Sequence, residues 1–127
     1  MENKELVNSN GVDGKVIAVI SYFGIIGLII GLFLSKQNKS ELVLFHLKQS
    51  AGLSALVIGL MICCFILIPI SILIPFLLIL VFPAIGIINM GILILIIMGI
   101  LNAFNEKMNF LPIIGKKSDE FFSKYIK

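Results

Sequence analysis

Residues 51–104, AGLSALVIGLMICCFILIPISILIPFLLILVFPAIGIINMGILILIIMGILNAF, contain no Asp, Glu, Lys, Arg or His. A helix needs roughly 20 apolar residues to cross about 30 Å of hydrocarbon, so this run is too long for one crossing and short for three with turns. Pro69 and Pro75 decide where it divides, because proline removes a backbone donor and drives the preceding residue out of the helical region. The run predicts a helix over 45–68, a turn from Ile68 to Phe76 and a helix over 77–104. Pro83 falls inside the last helix, where membrane helices tolerate a kink. A further break near Gly86 would give four spans in place of three.

Upstream, 16–35 is a second uncharged run, bounded by Lys15 and Lys36. It is long enough to span, and longer than the apolar region of a signal peptide, which runs to about 7–15 residues. Residues 1–15 mix Asn, Ser, Gly and both signs of charge and read as a flexible polar lead-in. Residues 105–127 form a basic tail. The expected fold is an all-α integral membrane protein: a three-helix transmembrane bundle over 16–104, with a short amphipathic segment after it.

The composition agrees. Of 127 residues, 59% are hydrophobic and 13% charged, where a soluble domain carries about a quarter charged. Mean hydropathy is +1.13. No room is left for a soluble catalytic domain beside the spans. The net charge of +3 comes from Lys alone, with no Arg, and lies beside the spans, so anionic lipid headgroups are the expected partner and nucleic acid is not. Cys63 and Cys64 are adjacent within an apolar run, which suits neither a disulfide framework nor spaced metal ligands.

Lysines also predict orientation, since Lys-rich connections favour the cytoplasm. The connection 36–48 holds Lys36, Lys39 and Lys48, the tail is Lys-rich, and the Pro69 to Phe76 turn has no charge. Two intervening helices put both Lys-rich segments on the cytoplasmic side. A third span over 16–35 would then leave the amino terminus outside and the carboxyl terminus in the cytoplasm.

Because lipid tails are as apolar as Ile, membrane helices associate through close backbone approach at small residues. Gly24, Gly27 and Gly31 line the first predicted span, Gly52 and Gly59 the second, Gly91 and Gly99 the third. They serve either packing within the chain or self-association through the first span. Polar side chains are few: His46 and Gln49 lie three apart where the second span begins, Asn102 and Asn105 three apart where the third ends. An antiparallel hairpin would bring these four to one depth as a polar interface cluster. A lone His with no second imidazole, carboxylate or thiol nearby is a poor metal site or catalytic base. No catalytic residue, metal site or cofactor is expected, and no enzymatic activity. In the tail, Phe121, Phe122, Tyr125 and Ile126 fall on one helical face and Lys117, Lys124 and Lys127 lean to the other, as suits a segment lying in a headgroup plane.

The order of motifs is itself informative. A glycine-rich first span, Phe45-His46-Leu47-Lys48-Gln49 opening the second, Asn102-Ala103 closing the third and then Leu111-Pro112-Ile113-Ile114-Gly115 resemble the small bacterial membrane proteins related to the twenty-kilodalton subunit of the chloroplast inner-envelope protein translocon. That resemblance runs from about Lys15 to Gly115. It implies a multi-pass protein of the bacterial plasma membrane with a direction toward protein transport or a membrane-complex subunit. The expected function is thus a non-enzymatic integral membrane subunit with a membrane-protein partner. A self-associating small pore or carrier, or an immunity or stress-protection protein, is the alternative.

Overall fold

A computed structural model describes residues 12–126. Among them the chain is helical, with α1 (Gly14–Ser21), α2 (Gly24–Leu34), α3 (Glu41–Leu73), α4 (Pro75–Phe104) and α5 (Gly115–Phe122). The predicted lead-in up to residue 11 lies outside the described residues. α3 and α4 are long and apolar enough to cross a membrane.

The first apolar run departs from expectation. In place of one helix over 16–35 it forms two, α1 and α2, folded against each other. Asp13 caps α1, its carboxylate accepting from the Lys15 amide. The helix ends at Tyr22, and Gly24 takes φ +77°, a left-handed conformation that glycine adopts without steric cost. From there α2 runs back along α1. A Cβ on Gly27 would strike the Ile20 carbonyl, and one on Gly31 would lie 3.2 Å from Ser21 Cβ and 3.0 Å from Leu47. Two of the small residues predicted for interhelical packing thus close this hairpin, and the third, Gly24, makes its turn.

The hairpin also changes which ends meet. Asn38 Nδ2 donates to the Val12 carbonyl at 3.3 Å, and the Lys15 ammonium sits 4.0 Å from the Phe104 ring centroid. The start of α1, the α2–α3 connection and the end of α4 therefore share one end of the molecule. A continuous span would have put Val12 and Asn38 at opposite ends.

α3 begins at a Ser40 cap that accepts from the Val43 amide and continues through Pro69 to Leu73. The predicted turn over 68–76 contracts to Ile74, at φ −124° and ψ 87°. Pro75 is the effective breaker: it excludes helix at Ile74 and its fixed φ suits the first turn of α4. Pro69 leaves the helix intact at the loss of one hydrogen bond. α4 likewise runs unbroken past Pro83 and Gly86, which removes the four-span division.

The core lies entirely at the end where the chain segments meet. One cluster joins Ala18, Tyr22, Leu53, Leu95, Ala103 and Leu111, and a second joins Ile17, Val43, Leu47, Ala51 and Ile126. Beyond Val57 on α3 and below Ile92 on α4, the two long helices pack, among the described residues, on each other, and most of their large apolar side chains are exposed.

Candidate functional site

The polar residues at the packed end form a clamp. His46 is fully buried on the first turns of α3. Its Nε2 lies 2.9 Å from the Lys107 carbonyl, and its Nδ1 lies 2.9 Å from the Tyr22 hydroxyl. A carbonyl can only accept, so Nε2 carries the proton, Nδ1 is the acceptor and Tyr22 donates. Both ring nitrogens are committed in a neutral imidazole. The edges of Tyr22 and Phe45 pack on that ring, with centroids at 5.8 and 5.2 Å.

Gln49, one turn on and also fully buried, reads the backbone of the following loop. Its Nε2 donates to the Gly115 carbonyl at 2.8 Å, and its Oε1 accepts from the Leu111 amide at 3.2 Å. Leu111-Pro112-Ile113-Ile114-Gly115 is therefore a tight loop held at both ends by one side chain. Ile113 takes φ 74° at its tip, and the Gly115 amide donates to the Leu111 carbonyl at 3.0 Å. A Cβ at Gly115 would stand 2.8 Å from Gln49 Oε1.

α5 extends the clamp. Ser118 donates to the Lys48 carbonyl and occupies the space a side chain at Gly52 would need. Lys48 Nζ faces an Asp119 oxygen at 3.6 Å. On the other side, the Tyr22 ring fills the place of a side chain at Gly99, so one tyrosine ties α1 to α3 and α4 together.

The predicted cluster of four is thus half assembled. His46 and Gln49 are brought together, but they bind the 107–115 backbone and Tyr22, and neither Asn102 nor Asn105 bonds to them through its side chain. Asn102 is half-buried and Asn105 exposed. The Asn102 carbonyl accepts from the Lys107 amide at 2.8 Å, turning the chain so that Lys107 reaches His46. Gly52 and Gly99 do pack closely, whereas a Cβ at Gly59 or Gly91 would meet nothing within 4 Å.

Tyr22 and Ser118 escaped sequence reasoning. Tyr22 read as the interior of a span, and its only signal is that it is the one tyrosine in the uncharged run 16–35. Beside it, a small cavity of about 40 Å³ is lined by Ser21, Gly24, Ser50, Ser54 and Ile96. No group of three His, Cys, Asp or Glu that could hold a metal occurs among the described residues. The chain matches no family model, no curated protein and no solved structure.

Proposed function

We propose that α3 and α4 cross the bacterial plasma membrane as a two-helix hairpin, with α1 and α2 dipping into the bilayer from the cytoplasmic side and returning to it. The observation that carries this topology is the clustering of charge. Lys15, Lys36, Lys39, Lys48, Lys107, Lys116, Lys117 and Lys124 all belong to segments at the packed end, and the opposite tip around Ile74 has no charge. Lys-rich segments stay in the cytoplasm, so residue 12 and the tail fall on the same, inner side. This replaces the outward amino terminus expected from three full spans. α2 exposes Ile26, Ile29 and Phe33, as a lipid-facing segment would. α5 and the residues after it offer exposed Phe121 and Tyr125 beside lysines, a surface suited to anionic headgroups.

On this reading the protein is a non-enzymatic subunit of a membrane complex. His46 and Gln49 spend their hydrogen-bonding groups on the chain's own backbone and Tyr22, which supports a role in holding the inner face in one shape. The link to protein transport rests on the motif resemblance. In-cell crosslinking through residues of the 107–118 segment, followed by identification of the adducts, tests the proposal. Capture of one defined membrane-complex component supports it. Ion flux through the purified protein in liposomes, with no partner captured, would instead favour the pore.

A further inference from the structure

The most exposed polar group within the apolar part of the long helices is Asn89, at the middle of α4. Its Nδ2 donates at 2.9 Å to the Ile85 carbonyl of its own helix, and its Oδ1 has no hydrogen-bond partner among the described residues. At 3.6 residues per turn, Phe82, Gly86, Asn89 and Leu93 share one strip of α4, and all four are exposed. One turn further up, Ile96 lines the cavity beside the hairpin turn at Gly24 and Ile25. The α1–α2 hairpin therefore covers the top of this strip, and no other described residue covers the rest.

An amide left facing lipid gains nothing from hydrocarbon, and membrane helices satisfy such groups across helix contacts. We propose that two copies of this chain associate in the membrane along α4, with Asn89 as the shared polar anchor. Three features favour a second copy as the occupant. An amide is its own complement, having both donor and acceptor. A second copy inserted the same way carries its amide at the same depth, so a two-fold contact pairs Asn89 with Asn89. Gly86, one turn away with open space where its side chain would be, lets the helices approach. Gly27 and Gly31 of the first apolar run cannot do this, because they are already closed against Ile20, Ser21 and Leu47.

The inference rests on the proposed spanning of α3 and α4. With Cys63 and Cys64 replaced by Ala, Gly86→Cys and Ile94→Cys variants are oxidised in native membranes after an alkaline wash, and the oligomeric state of the full chain is measured in a lipid bilayer. Gly86→Cys should form a covalent dimer and Ile94→Cys, turned about 140° around α4 from Asn89, should not. Asn89→Leu should weaken dimerisation about tenfold, the effect of one to two membrane hydrogen bonds. Equal crosslinking at both positions, a monomer in the bilayer, dimerisation indifferent to Asn89→Leu, or adducts only with other proteins would overturn the inference. Release of the chain by the alkaline wash would overturn the spanning of α3 and α4 itself, whereas a retained monomer overturns the dimer alone.

Discussion

Tyr22 donates its hydroxyl hydrogen to Nδ1 of His46 across 2.9 Å, and this bond joins the turn of the α1–α2 hairpin to the start of α3. The tyrosine reaches His46 only because α1 stops at that residue, so the hydrogen bond and the broken first span are one feature. The Lys107 carbonyl holds the other ring nitrogen, Nε2, which fixes the tautomer that Tyr22 needs.

Tyr22→Phe keeps the ring against Gly99 and removes the hydroxyl alone. His46 Nδ1 is then a buried acceptor with no donor, a loss of about 1–3 kcal/mol. Thermal unfolding in mild detergent should show a lower midpoint for this variant, and Tyr125→Phe, at an exposed position, should match the wild type.

Gln49→Leu should release the tail. Both the Leu111 amide and the Gly115 carbonyl lose their partner, so cleavage by trypsin at Lys116 and Lys117 should accelerate several-fold while the long helices stay intact. Asn102→Ala, which touches neither group, should change stability by less than about 0.5 kcal/mol. Equal effects from the two would restore the four-residue cluster expected from sequence.

Glycine substitutions separate turn, packing and open positions. Gly24→Ala forces a side chain into left-handed backbone and should destabilise by about 1–2 kcal/mol. Gly52→Leu and Gly99→Leu should be worse, since Ser118 and Tyr22 occupy the needed space. Gly91→Ala should be close to neutral or slightly stabilising, as a helix prefers Ala to Gly by about 1 kcal/mol. Detergent-solubilised yield and unfolding temperature measure all four.

The Lys48–Asp119 pair should contribute little. It is partly solvated at 3.6 Å, and exposed ion pairs are worth about 0–1 kcal/mol. Asp119→Asn should leave trypsin sensitivity of the tail unchanged, while Ser118→Val should raise it.

What the sequence made legible was whatever depends on one residue type at a time. An uncharged run divided by prolines announces two long helices, and Pro75 sits where the chain turns. His46 and Gln49 stand out because amides and imidazoles are rare in such runs. The break at Tyr22 was hidden, because Gly24 fits a small-residue stripe as well as it fits a turn, and only its positive φ distinguishes the two. Once that run folds back on itself, the partners of His46 change. Gln49 meets backbone groups of Leu111 and Gly115, and backbone partners leave no trace in side-chain chemistry. Asn102 and Asn105 lie at about the right depth, but the reversal at Lys107 interposes its own chain.

The measurement that bears most directly on the proposed architecture is the sidedness of Asp13, Asn38 and Ile74. Each is replaced singly by Cys, in a background where Cys63 and Cys64 are Ala, and intact cells are treated with a membrane-impermeant thiol reagent. Asp13→Cys and Asn38→Cys should both be protected until the membrane is permeabilised, and Ile74→Cys should react from outside. Labelling of Asp13→Cys in intact cells with Asn38→Cys protected would contradict the re-entrant hairpin and restore a full first span.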